Sequence, residues 1–186
     1  MQLIRYDDSL WKETLGELGP DEAARLLKDL AGTDHQVRRQ VLLEFGELKP
    51  VQLQKLLEEG IELETEGGVI PEYGEDVIQE LCQALVKRAR RIAAKDLAGA
   101  VALLAMIVTA IDAHMQKVYD EGWTFQCIVT DAFEVLKELV TKAERITSAA
   151  KTKMICLAEQ ALAANPGDNL YMEEWENLID QWKRLT

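Results

Sequence analysis

The stretch DLAGAVALLAMIVTAID, residues 96–112, decides how the chain is read, because Leu97 to Ile111 are fifteen consecutive residues without a charge. Three structures bury such a stretch: a membrane, a protein core or a partner. At a rise of about 1.5 Å per residue the fifteen span roughly 22 Å, short of the ~30 Å hydrocarbon layer. Asp112, His114, Gln116 and Lys117 follow on the same expected helix. Alanine and glycine at 98, 99, 100, 102 and 105 dilute the hydrophobicity and let neighbouring backbones approach closely. Val101, Leu103, Leu104, Met106, Ile107, Val108 and Ile111 fill the gaps. A helix apolar on all sides is normally covered on all sides. The stretch is therefore expected to be the central helix of a core, over 96–119. The remaining reading is a partly open apolar face that takes a partner.

Helix signals surround it. Ser9 is placed to cap a short helix near 9–18. In GPDEAARLLKDLAG, Pro20 opens a helix, Asp21 and Glu22 suit its positive end, and Gly32 stops it. Thr33 and Gln36 read as a capping box for a helix carrying Val37, Val41, Leu42 and Phe45. Lys49-Pro50 opens a fourth, with Leu53, Leu56 and Leu57 inward. Residues 60–72 contain Gly67-Gly68 and Pro71 and lack a helical period, so they read as a loop lying on the bundle through Val69 and Ile70. Long helices follow at about 73–95, 96–119, 125–145, 148–164 (Ser148 as cap, Asn165-Pro166-Gly167 as stop) and 169–185. The last carries Tyr171, Trp175, Leu178, Ile179, Trp182 and Leu185 on one stripe. No segment alternates as a strand does.

Composition narrows the function classes. The chain has 186 residues, 48% hydrophobic and 29% charged, with four prolines. That suits one helical domain, read as a short-helix part (1–59), the loop and a long-helix part (73–186). The net charge of −12 disfavours a nucleic-acid or anionic-membrane partner, which needs a dominant positive field. Cys82, Cys127 and Cys156 are far apart with no CxxC, and MQLIRYDDSLWK is not a secretory leader. The expected compartment is cytoplasmic, with reduced thiols. With His35 and His114 these cysteines offer no zinc-ligand spacing.

The sharpest charge asymmetry lies beside the uncharged stretch. Residues 56–86 hold nine acids and no base, whereas Lys87, Arg88, Arg90, Arg91 and Lys95 are five bases within nine residues. They read either as a docking patch for an acidic partner or as the basic end of a helix, where cations suit the dipole. Lys87, Arg90 and Arg91 fall opposite the Leu81/Leu85 stripe. Trp123, following Gly122, is the tryptophan placed for a surface contact. Asp112 and His114 are two apart on a helix and point roughly 200° apart, so they do not share a site. No P-loop, GxSxG or GxGxxG occurs.

Two stretches, LGPDEAARLLKDLAGTDHQVRRQVLLEF and GGVIPEYGEDVIQELCQALVKRARRIAAKDLAGAVALLAMIVTAIDAHM, resemble the helical region of bacterial proteins that carry a SWIM zinc finger. The resemblance covers about residues 15–140. It implies a HEAT- or TPR-like helical scaffold. The finger itself, Cys-x-Cys followed by Cys-x-His, is not in this chain, so neither zinc binding nor nucleic-acid binding is implied.

The sequence thus predicts an all-α, irregular solenoid-like bundle of antiparallel helix pairs, about eight or nine helices. Its expected role is a non-catalytic adaptor that binds a protein partner or its own copy, with no cofactor, no metal and no membrane. The expected contact residues are Lys87, Arg88, Arg90, Arg91 and Trp123. The alternative is a pocket for a small ligand between the 96–119 and 125–145 helices.

Overall fold

A computed structural model describes residues 19–46, 48–118, 123–143, 147–164 and 171–184. The expected 9–18 helix and the Asn165-Pro166-Gly167 stop lie outside them. The described residues are all-helical: α1 Pro20–Thr33, α2 His35–Phe45, α3 Pro50–Leu63, α4 Glu72–Ala93, α5 Leu97–Asp112, α6 Trp123–Ala143, α7 Ser148–Ala164 and α8 Met172–Arg184. A single 3-10 turn, Met115–Lys117, follows α5. No described helix is long and apolar enough to cross a membrane. The chain divides into two compact units, Met1–Leu42 and Leu43–Thr186.

In the first unit, Pro20 opens α1 and Glu22 turns back to accept from the Gly19 amide at 3.2 Å. The start of α2 departs from the expected capping box. Asp34, not Thr33, supplies the cap: its Oδ1 accepts from Gln36 N (2.8 Å) and Val37 N (3.2 Å). Thr33 is still the last residue of α1, and its hydroxyl donates backward to Asp29 O and Leu30 O. It cannot serve both helices, and the neighbouring carboxylate takes the amides.

In the second unit α5 is the hub, packed against α3, α4, α6 and α7. Nine of its residues are buried, Val101, Leu104 and Ile111 among them. Asp96 caps it, accepting from Gly99 N at 2.9 Å. The Asp96 carboxylate lies against the Gly99 backbone, where a Cβ would make it shift. α5 is shorter than the expected 96–119 helix. It ends at Asp112 because the chain turns to pair with the loop before α4: Lys117 O accepts from Ile70 N at 2.7 Å, beside an isolated Ile70–Val118 bridge.

That loop is also shorter than expected. α3 continues through Gly60 to Leu63, since Leu57 and Ile61 are one turn apart on its buried face. The irregular stretch is 64–71. Gly67 (φ +59°) and Gly68 (φ +88°) turn it, a backbone region that side chains with a Cβ avoid. Ile70 is fully buried, while Val69 and Tyr73 face outward. α6 and α8 lock through aromatic contacts, with Phe133 edge-on to Trp175 (4.9 Å between centroids) and tilted on Tyr171 (5.8 Å). α7 and α8 are tied by Lys183–Glu159 at 3.0 Å. At the start of α7, Thr147 rather than the expected Ser148 precedes the helix and accepts from Ala150 N at 3.4 Å.

Candidate functional site

The uncharged helix is not covered on every side. Gly99, Ala102, Met106, Thr109 and Ala110 are only half-buried. They recur at helical spacing and form one stripe along α5. α3 rises on one side of the stripe and α7 on the other, leaving a groove with α5 as its floor. One stretch of the groove, about 420 Å³, runs between Val51 and Gln54 of α3, Arg88 and Ile92 of α4, and Gly99, Ala102 and Met106 of α5. A second, about 400 Å³, continues past Gln54 and Glu58 of α3 and Leu157 and Gln160 of α7 to Ala113 and His114. The two share Gln54, Ala102 and Met106, so they form one trough. Neither stretch takes a residue from α6.

The trough is apolar along its floor and polar at its rim. Glu58 and Gln160 are exposed on opposite walls. His114 closes one end, its Nδ1 placed 2.9 Å from Ala110 O, which orients the ring as a donor to that carbonyl. Asp96 closes the other end with one oxygen held by its own helix. Hydrocarbon with a few rim hydrogen-bonding groups suits the apolar face of a bound helix.

The sequence-expected contact residues go to different places. Arg88 is half-buried and turned inward: Nη1 donates to Leu43 O and Nη2 to Gly46 O, each at 2.8 Å. It therefore satisfies the last carbonyls of α2 and braces the end of the trough. Arg90 reaches across to Glu138 of α6 at 3.5 Å. Lys87, Arg91 and Lys95 are exposed, with Lys87 and Arg91 four apart on one face of α4. Trp123 is 70% exposed at the start of α6. None of these except Arg88 touches the trough.

Three further features escape a reading of sequence. Glu75 is 2% exposed, with Oε1 lacking a hydrogen-bond partner. Tyr171 is pushed up to about 12, first by burial and then by the charges of Asp112 and Glu174 and by Cys127. Burial alone pushes the Cys82 thiol up, so it is held as an inert thiol. All three cysteines are free. Among the described residues no group of three or more His, Cys, Asp or Glu is arranged to hold a metal ion.

Compared with known proteins, the chain matches no family model, no curated protein and no solved structure.

Proposed function

We propose that the chain is a non-catalytic helical scaffold whose α3–α5–α7 trough seats a helical segment of a protein. One observation carries this reading: the most apolar of the described helices is left half-buried along one stripe, Gly99, Ala102, Met106, Thr109 and Ala110, on the floor of a groove between α3 and α7. Small side chains on the floor allow the close axial approach that helix packing uses. The floor from Gly99 to Ala113 measures roughly 21 Å along the axis, room for a helix of about 14 residues. The scaffold role is also what the resemblance to the SWIM-associated helical region implies.

A photoreactive amino acid placed at Thr109 tests this in the source cell. It should give a protein adduct that maps to a helical segment. A probe at the exposed Gln83 serves as the control. Adducts at Thr109 no more abundant than at Gln83 would end the reading. The second reading, a small apolar ligand, draws on the same trough, whose stretches fall within the ~300–1,000 Å³ of ligand sites. It would give a small-molecule adduct in place of a peptide.

A further inference from the structure

α4 carries its charge in two blocks. On its outward face Glu72, Asp76 and Glu80 follow one another at steps of four, and Lys87, Arg91 and Lys95 do the same beyond Gln83. All six are exposed. The helix dipole favours acids in the first turn and bases in the last, and its effect ends there. Glu80 and Lys87 lie well inside the helix and are not accounted for by it. Like charges four residues apart repel, and each block holds two such neighbouring pairs. No acid on α4 has a base three or four residues away, so no pair within the helix offsets that repulsion.

Neighbouring elements leave both blocks standing. At the acidic end, Glu64 lies against Gly74 and Glu66 accepts from the Tyr73 hydroxyl. Lys117, whose carbonyl accepts from Ile70 N, approaches the same end, one base against five acids. At the basic end Arg88 turns inward, and Arg90 with Glu138 of α6 forms a pair that leaves the balance unchanged. Arg91 also has an interaction within its own chain. Among the described residues, none of the other five is in an ion pair.

The blocks are complementary to each other. Counted outward from the point between Gln83 and Ala84, every acid has a base at equal distance on the other side: Glu80 and Lys87, Asp76 and Arg91, Glu72 and Lys95. A two-fold axis through that point lays a second α4 antiparallel on the first. Each acid then stands opposite a base, and each pair occurs twice. Laid parallel in register, the two helices set acid on acid and base on base. Each block follows an i±4 ridge, the kind that most often carries helix–helix contacts, at about 50° between axes.

We propose that the chain pairs with a second copy through α4, antiparallel about a two-fold axis between Gln83 and Ala84. The pairing is independent of the trough, which takes Arg88 and Ile92 from the other edge of α4. The 22 residues of α4 offer a strip about 33 Å long and about 10 Å wide, roughly 330 Å² per chain. The pair buries roughly 660 Å², the size of a weak and reversible contact. Its ion pairs are individually modest, and the net charge of −12 opposes it at long range. At ~0.15 M salt the screening length is ~8 Å, so the distant repulsion is reduced more than the contacts are.

Sedimentation equilibrium of the full chain between about 10 and 500 µM, at ~0.15 M salt, tests the proposal. The expected result is a dimer whose share rises with concentration. Glu80→Lys alone and Lys87→Glu alone each set like charge against like charge twice. Each should raise the dissociation constant at least about tenfold, with far-UV circular dichroism unchanged. When the two variant chains are mixed, opposite charges meet again in this register, and a heterodimer should form as readily as the parent dimer. If either variant misfolds, Asp76→Lys and Arg91→Glu repeat the exchange one turn further out. Lys153→Glu, on the exposed face of α7, changes the net charge as Lys87→Glu does and should leave pairing intact. A chain that stays monomeric at the highest concentration overturns the proposal. A dimer that both single variants leave intact also overturns it, because its interface then lies elsewhere. Weakened variants that mixing does not rescue refute the antiparallel register.

Discussion

The open stripe can be tested with one substitution made twice. Ala100 and Ala102 lie on the same helix, two residues and about 200° apart. Ala100 is 0% exposed, whereas Ala102 is half-buried on the floor of the trough. Aspartate at either position costs the same in helix propensity, about 0.7 kcal/mol. The difference between the two variants therefore isolates burial. At Ala100 the carboxyl enters a dry contact, and neutralising it against the ordinary Asp value at pH 7 costs about 4 kcal/mol. The extra volume in a packed core adds about 1–3 kcal/mol. The expected loss is at least 5 kcal/mol, comparable to the whole stability of many domains. At Ala102 the carboxylate reaches the trough, and the loss should stay near 1–1.5 kcal/mol, propensity plus partial desolvation. Urea unfolding followed by tryptophan fluorescence at pH 7 reads both, since Trp175 and Trp182 are buried in the same unit. The buried carboxyl is neutral in the fold, so the Ala100→Asp deficit should shrink as pH falls toward 4. Equal losses at the two positions would mean that α5 has no open face, and the trough would then be no docking site.

Other residues make separate predictions. Arg88→Met should cost about 2–3 kcal/mol, because two carbonyls lose charged donors, while Lys87→Glu and Arg91→Glu should stay within about 0.5 kcal/mol by thermal melting. If all three behave alike, Arg88 is no brace. Under native conditions a thiol reagent should modify the exposed Cys156 first and the buried Cys82 only on unfolding; early reaction at Cys82 would contradict its burial. In a spectroscopic alkaline titration Tyr171 should ionise near 12. Its neutral form is favoured by the fold. The stability this gives is therefore full below the ordinary tyrosine value near 10 and is lost as pH rises through 12. A Tyr171→Phe variant should show less of that alkaline loss between pH 10 and 12, and an identical profile would remove Tyr171 as its source.

Much of the helical order is legible from local chemistry. Pro20 and Pro50 open α1 and α3 where such residues open helices, and the Trp175–Leu178–Ile179–Trp182 stripe of α8 is buried as its spacing demands. Errors arise where two local signals compete. Thr33 and Asp34 both suit a cap, and Gly60 looks like a break until Leu57 and Ile61 are seen to share one buried face. α5 ends with its apolar run at Asp112, short of the expected 119, because a contact with Ile70, more than forty residues upstream, redirects the chain. Arg88 is the same kind of case. In sequence it is one of five clustered bases, but its partners are Leu43 and Gly46, 45 and 42 residues away. Pairings over that separation leave no periodic trace. Glu75 is one of nine acids between residues 56 and 86, and only the packing of α4 singles it out as buried.

The open side of α5 had a trace of another kind, in size and not in polarity. Hydrophobicity is nearly uniform around this helix, so a search for an apolar face finds none in particular. Bulk is not uniform. Val101, Leu104, Ile107, Val108 and Ile111 fall on the covered side with Ala100, and Leu103 stands at the edge of the trough, whereas the half-buried stripe is Gly99, Ala102, Met106, Thr109 and Ala110. A physical reason links size to exposure. An uncovered alanine leaves little hydrocarbon to water, at about 25 cal/mol per Å², whereas a leucine in its place would leave several times more. The single chain can therefore keep this face open at small cost. The same missing bulk gives the trough its depth and lets a second helix come close to the α5 backbone. Met106 is the one long side chain on the stripe. Unbranched and adaptable, it can lie along the floor or shift against a helix that enters. A stripe chosen for small size on an otherwise bulky, uncharged helix is what a face must be if it is to stay soluble alone and still pack tightly when covered.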